Sequence, residues 1–410
     1  MANANREDRA VACSPDLPSV GRLWNRLLLD VARTLQVGQL RLLLPNGALH
    51  RIEGALAGPQ ATLVLRNVRP LRKLFSGGTV GFAEAFIDGD WDTPDLPALL
   101  TLAHTNERAM DSNIEGVFGS RWLNRVRHLL RANTRGGSRR NIAYHYDLGN
   151  AFYAPWLDPS MTYSSALFDS PGQSLEDAQL NKYRRLAGTL DLRPGHHVLE
   201  IGCGWGAFAM MAAREFGCSV TALTLSHEQQ DFARQKIWEA GLADRIDVRL
   251  QDYRDVDGTF DRIASVEMFE AVSEKYWPHY FGAVRNRLKS DGLAAIQVIT
   301  IDDDRFAKYR RAADFIQTYI FPGGMLPSPN VLVRQVEAAG LKVSDWFTFG
   351  ESYAETLARW RRTFDDAWLA IASLGFDERF RRMWTFYLSY CEVGFRTGTT
   401  DVAQIQIRHA

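Results

Sequence analysis

The segment that most constrains this chain is Val198-Leu199-Glu200-Ile201-Gly202-Cys203-Gly204-Trp205-Gly206, an apolar run that stops at alternating glycines and passes at once into helix-forming residues. A strand that ends in glycines and re-enters as a helix gathers backbone N–H groups at one point. A ligand can then approach backbone that side chains would otherwise shield. The surrounding sequence repeats this alternation. Apolar strands are predicted over 197–201, 219–225, 247–250, 262–266 and 293–299, and helices over 207–216, 228–240 and 276–288. Such a pattern specifies a mostly parallel sheet covered on both faces, which 341–349 and 402–407 are expected to complete. The fold class is therefore α/β, a Rossmann-like domain with a mixed sheet, preceded by a small α+β domain.

With 410 residues the chain is long enough for two domains. Residues 1–19 are polar, without periodicity, and are expected to be disordered. Residues 20–115 read as the small domain. Short apolar stretches between Gln39 and Asn67 are broken by Asn46-Gly47 and Gly58-Pro59, a short helix over 79–92 carries Phe82, Ala85 and Phe86 and is stopped by Gly89, and a further helix covers 96–107. Residues 116–140 read as a basic amphipathic helix and linker, and 141–410 as the large domain. Between Arg121 and Arg140 there are seven arginines and no acid, interleaved with Trp122, Leu123, Val126, Leu129 and Leu130. This stretch reads either as a solvated connector or as a surface that holds anionic lipid headgroups.

Composition excludes several function classes. The 48 basic residues balance 48 acidic ones, so no global field points to a nucleic-acid partner. Cys13, Cys203, Cys218 and Cys391 have neither metal-ligand nor disulfide-framework spacing, and no metal is expected. There is no uncharged apolar run of about 18 residues, the length a membrane span needs. A cytoplasmic protein that visits a membrane rather than crossing it is the expectation.

The glycine junction also satisfies the dinucleotide pattern G-x-G-x-x-A, ending at Ala207. Two features speak for S-adenosyl-L-methionine instead. Glu200 precedes the first glycine by two positions, where it suits a cationic amino group and repels a pyrophosphate. The second strand ends in Thr224-Leu225-Ser226, without the ribose-binding acid of nicotinamide enzymes. Thr224, Ser226, Gln229 and Gln230 offer neutral partners for ribose hydroxyls, although any of them also suits an ordinary helix cap. Asp252 and Tyr253 offer an acid and an aromatic face for adenine, or form a surface turn.

The stretches YHYDLGNAFY (144–153), LDPSMTYSSALF (157–168), VLEIGCGWG (198–206), TLSHEQQ (224–230), DYRD (252–255), EMFEAV (267–272), YIFPGGMLPS (319–328) and RMWTFYLSYCEVGFR (382–396) together resemble the cyclopropane fatty acid synthase family, which includes the mycolic acid cyclopropane synthases. The resemblance is strong over 141–410 and weaker over 20–115, where FAEAFIDGDWD carries it. It implies a pocket in which Tyr163 and Ser164 cover the methionine end of the cofactor, Gly202 and Gly204 its backbone, Thr224 and Gln229 the ribose, and Asp252 with Tyr253 the adenine. An apolar acyl tunnel would come from 319–328 with Trp384, Tyr387 and Tyr390.

The implied reaction is one-carbon transfer to the double bond of an unsaturated phospholipid acyl chain through a carbocation, at the inner face of the membrane. The resemblance also implies a homodimer, which no residue pattern establishes. In the family a bound bicarbonate removes the proton, and the positions that hold it match Ser165, Glu270, Gln297, Ile299 and Tyr353. This sequence departs from the pattern: the usual cysteine is Ser165, the histidine after the glutamate is Ala271, and the strand histidine is Gln297. Serine and glutamine retain donors, so a modified bicarbonate site is expected. Either Glu270 or Glu267 is the carboxylate facing the pocket. A cyclopropane ring is the expected product, with a methyl- or methylene-branched chain as the alternative if the base is moved. A lipid-binding regulatory module with an inactive cofactor site is the reading from another class.

Overall fold

The computed structural model describes residues 28–30, 32–107 and 148–410. The expected disordered start, the domain boundary near 115 and the arginine-rich stretch between Arg121 and Arg140 lie outside the described residues. By internal contacts the chain divides into two compact units, Met1–Ser120 with Glu378–Phe386, and Arg121–Asp377 with Tyr387–Ala410.

In the first unit, β1 (Val37–Leu43), β2 (Leu49–Glu53), β3 (Leu56–Leu65) and β4 (Trp91–Asp92) form a sheet in the order β2-β1-β3-β4. Every second residue is buried, Leu40 and Leu42 from β1, Ala61, Leu63 and Leu65 from β3, as the two-residue repeat of a strand with one covered face requires. Helix α1 runs from Arg69 to Ile87 rather than starting at 79, and is interrupted at Gly78, whose φ of 59° and ψ of −144° are not helical. The sequence reading located only the part after this break. The helix stops where expected, with Gly89 at φ 77° and the Asp88 and Asp90 N–H groups bonded to Glu84 and Ala85 carbonyls at 3.0 and 2.9 Å. Helix α2 (Leu96–Thr105) packs on β3 and β1, capped by the Asp95 side chain, which accepts from Ala98 N at 3.0 Å.

The second unit holds a seven-stranded sheet in the order β10-β11-β9-β8-β5-β6-β7. Its parallel part consists of β5 (His197–Ile201), β6 (Ser219–Thr224), β7 (Ile246–Leu250), β8 (Phe260–Val266) and β9 (Leu288–Ile301). Antiparallel pairing adds β11 (Thr400–His409) to β9 and β10 (Leu341–Thr348) to β11. The helices are α3 (Leu175–Thr189), α4 (Ala207–Phe216), α5 (His227–Glu239), α6 (Trp277–Arg287), α7 (Pro329–Ala338), α8 (Gly350–Asp366) and the part of α9 (Glu378–Arg396) that begins at Tyr387.

Successive strand residues feed two cores. Leu199, Ile201, Leu223, Ile263 and Ile296 join one cluster, while Val198, Val220, Ala222, Ala264 and Ala295 join the other. Burial on both faces explains the near-continuous apolar runs in the sequence. Because β6 and β8 flank β5 on opposite sides, the chain reverses its winding beside β5, and a crevice opens at the carboxyl ends of the strands.

One arginine ties the first unit together. Arg382 donates to the Phe86 and Trp91 carbonyls, the latter at 2.8 Å, lies 3.5 Å from the Asp92 carboxylate, and sits 4.0 Å above the Phe86 ring. Arg382→Ala leaves these carbonyls without their donor, and a loss of about 2–4 kcal/mol is expected in denaturant melts of the full chain. Arg382→Lys should recover little of it, because a point charge does not reproduce the forked contact.

Candidate active site

A single cleft lies over the ends of β5, β6, β7 and β8, and Tyr163, Ser164, Glu200, Gly202, Gly204, Thr224, Gln229, Asp252 and Tyr253 all line it. The nine residues read from the sequence as cofactor contacts are thus brought together. Gly202, Gly204 and Gly206 have φ of 84°, 53° and 89°, a left-handed backbone that bears no side chain easily. At Gly202 space is short as well, since a Cβ would lie 2.8 Å from Cγ of Met268. The turn is fixed by the Gly202 and Cys203 N–H groups, which both donate to Leu223 O, at 3.1 and 2.8 Å.

Glu200 is only 2% exposed, and its Oε2 has no hydrogen-bond partner. Burial pushes its carboxyl well above the usual range, opposed by a backbone hydrogen bond and by the charge of Lys182. A buried carboxylate oxygen without a donor at a glycine junction suits a cationic ligand group. Around the rest of the cleft, Thr224 Oγ1 donates to Gln229 Oε1 at 2.8 Å, and Ser226 caps α5 by accepting from Gln229 N at 3.3 Å. Ser226 is therefore an ordinary cap. Asp252 accepts from Arg254 Nε at 2.8 Å and Nη2 at 2.5 Å, and the Tyr253 ring packs edge-on against Tyr280 with centroids 5.4 Å apart.

The five residues matched to the bicarbonate site also converge, but on carboxylates of the chain itself. Glu267 Oε1 accepts from Ser165 N at 2.9 Å and Gln297 Nε2 at 2.7 Å, and its Oε2 accepts from the Tyr353 hydroxyl at 2.6 Å. Ile299 N donates to Glu270 Oε1 at 2.5 Å. The Ser165 hydroxyl, expected to point at an anion, donates instead to Ala166 O at 2.9 Å. Every donor of the implied anion site is engaged, so the residues present do not fit a bound bicarbonate. Of the two candidate carboxylates, Glu267 lines the cleft together with Ala271. The sequence favoured Glu270 only through the family match, and the motif EMFEAV does not reveal which glutamate turns inward.

Lys182 was not singled out by sequence reasoning. It is fully buried in α3, donates from Nζ to Ser164 Oγ at 2.7 Å and lies 4.0 Å over the Tyr183 ring. Burial pushes its pKa down, opposed by the charges of Glu267, Asp158 and Glu200. The signal was present, since Ala178, Lys182 and Leu186 share one buried face of α3 at four-residue spacing, and a lysine interrupts that apolar stripe. Burial also raises Glu267, opposed by Tyr353, Lys182, Ser165 and Gln297.

Tyr163 and Tyr387 share a hydroxyl hydrogen bond of 2.8 Å. Phe321 and Phe315, from the segment containing YIFPGGMLPS and the residues before it, lie 6.1 and 6.4 Å from Tyr387 and Tyr390. Trp384, expected beside them, belongs to the first unit and stacks on Phe380 at 5.6 Å.

Burial and the neighbouring charge of Glu267 push Glu270 up from 4.5 to about 8. A raised carboxyl keeps its proton in the folded state while the unfolded chain releases it, so wild-type stability falls as pH rises between about 4.5 and about 8. Glu270→Gln removes this dependence. The melting temperature of the variant minus that of the wild type should climb across that window and level off above it, whereas a constant difference would refute the raised pKa.

Residues 134–405 match the family model described as mycolic acid cyclopropane synthetase. The chain is 40% identical over 395 residues to a tuberculostearic acid methyltransferase of Mycobacterium tuberculosis, covering 93% of this chain and 89% of that protein. It is 33% identical over 365 residues to the cyclopropane-fatty-acyl-phospholipid synthase of Escherichia coli, covering 88% and 91%. Among solved structures it is similar to a mycolic acid cyclopropane synthase complexed with S-adenosylhomocysteine and a cationic detergent, with a TM-score of 0.62 and 31% identity over 66% of this chain and 97% of the other. The family match and the two full-length relatives establish that the chain belongs to the cyclopropane fatty acid synthase family.

Proposed function

We propose that this chain transfers a one-carbon unit from S-adenosyl-L-methionine to the double bond of an unsaturated phospholipid acyl chain. The observation that carries the reading is that one cleft is lined both by Glu200, whose Oε2 has no protein partner, and by Glu267, offering a site for a cationic cofactor beside a site for a cationic reaction intermediate. When bound, the cofactor supplies an electrophilic methyl group. Glu200 would hold its amino group, Tyr163 and Ser164 would cover its methionine end, Thr224 and Gln229 would take the ribose, and Asp252 with Tyr253 the adenine. Tyr163, Tyr387 and Phe321 would exclude water and present aromatic faces to the carbocation left on the acyl chain. The arginines between Arg121 and Arg140 would hold anionic headgroups at the inner face of the membrane. No described helix is long and apolar enough to cross a membrane.

Two products are open to the same cation. Loss of a proton from the added methyl group closes a ring, whereas a hydride shift followed by that loss leaves a methylene branch on the open chain. Kinship with the Escherichia coli synthase supports the ring. The higher identity to a methyltransferase named for tuberculostearic acid, a branched fatty acid, together with the altered base site, supports the branched product, which we favour.

Incubating the full chain with methyl-labelled cofactor and vesicles of cis-monounsaturated phospholipid should add one methylene mass to the acyl chains. Fragmentation that locates a methylene branch on the open chain would support branching, and a ring signature would overturn it. Glu200→Gln should weaken cofactor binding by about 10-fold or more in a calorimetric titration, the loss expected of a charged hydrogen bond.

A further inference from the structure

We propose that Glu267 is the base of this reaction, a carboxylate built into the chain at the place where a dissolved anion would otherwise bind; this rests on the reading that the cleft carries methyl transfer to an alkene. The chemistry demands a base here. Once the methyl group has moved, the acyl chain carries a positive charge in a cleft that must keep water out, and the product forms only when a proton leaves.

Glu267 meets that demand by position and by backbone. It lines the cleft, and its φ of 47° puts a residue with a branched-off side chain in the left-handed region. Such a conformation costs about 1–2 kcal/mol and is retained where surrounding structure enforces it, often at functional sites. Ser165, Gln297 and Tyr353 enforce it here, arriving from the segment before α3, from β9 and from α8. Two carboxylate oxygens offer about four acceptor positions. Oε1 uses two, for Ser165 N and Gln297 Nε2, while Oε2 uses one, for Tyr353, leaving Oε2 a lone pair for an incoming proton. Burial raises the Glu267 carboxyl, as a base that must take up a proton requires, and the hydrogen bond from Tyr353 and the charge of Lys182 oppose that rise. Glu270, one turn on, has its Oε1 committed to Ile299 N and does not line the cleft.

The step balances. The double bond donates its electron pair to the methyl carbon, and the sulfur–carbon pair stays on sulfur. A C–H bond of the added methyl group then breaks toward Glu267 Oε2; its electrons form the last bond of the ring, or, if a hydride first shifts from the methyl-bearing carbon to its cationic neighbour, the carbon–carbon double bond of the methylene. Glu267 becomes a neutral acid and later returns its proton to solvent.

The test uses the full chain, methyl-labelled cofactor and vesicles of cis-monounsaturated phospholipid, in buffer freed of carbon dioxide or supplied with bicarbonate. The wild type should incorporate label at the same rate in both. Glu267→Gly, which suits the left-handed backbone, should lose about 100-fold or more of the rate, and millimolar bicarbonate or formate should restore part of it by entering the vacated space. Glu267→Gln should be inactive and unresponsive, since the amide fills that space. Cofactor affinity and melting temperature identify folded variants.

A wild type that stops when bicarbonate is removed would overturn the proposal, whether or not the glycine variant folds. So would a glycine variant that works without added anion, or a folded, cofactor-binding one that no small carboxylate restores, which would leave Glu267 a structural role alone. A wild type that transfers no label in any buffer would instead overturn the methyl-transfer reading beneath it.

Discussion

A carboxylate taken out of water at the end of a strand needs donors, and at Glu267 they come from three distant stretches of chain. Much of the second unit follows from satisfying that requirement. Gln297 presents its amide nitrogen to Glu267 because its oxygen accepts from Gln404 Nε2 at 3.0 Å. The Gln404 oxygen accepts in turn from Arg185 Nη1 at 2.9 Å, and its nitrogen also donates to the Lys182 carbonyl at 3.1 Å. A chain of buried amides thus runs from an arginine at the sheet to the cleft, with each group's orientation set by the next.

The electrostatics of the cleft are asymmetric. Lys182 is a buried amine whose pKa burial pushes down, opposed by the charges of Glu267, Asp158 and Glu200. Glu200 is left with an oxygen that no protein donor satisfies. Such an arrangement lowers the stability of the empty protein and raises the affinity for a positively charged ligand, a common exchange at sites adapted for binding. Tyr163, which lines the cleft, is held by Tyr387 through their shared hydroxyl hydrogen bond and by the Trp360 ring 5.2 Å away, and aromatic faces tolerate positive charge without neutralising it.

Much of this was legible in the sequence. Runs of apolar residues between glycines identified the strands because both faces of the sheet are covered, and the glycine junction located the cleft because backbone conformation is written in residue type. What escaped depended on contacts between distant segments. Nothing near Ser165 shows that its backbone, not its hydroxyl, serves the site. The choice between Glu267 and Glu270 turns on a left-handed φ at a glutamate, which residue type argues against. In the first unit, the stretch before Gly78 was missed because Gly77-Gly78 reads as a break, although helix continues on both sides of it.

The position of β11 has a consequence for biosynthesis. This strand lies between β9 and β10, yet follows both in the chain. Until residues 400–409 emerge from the ribosome, β9 presents one bare edge and β10 has no neighbour, so Gln404 cannot yet orient Gln297. An exposed strand edge on a growing chain invites pairing with other chains. The interval between synthesis of β9 and of β11 therefore leaves this edge unpaired while the glycine junction and the first three parallel strands are already made.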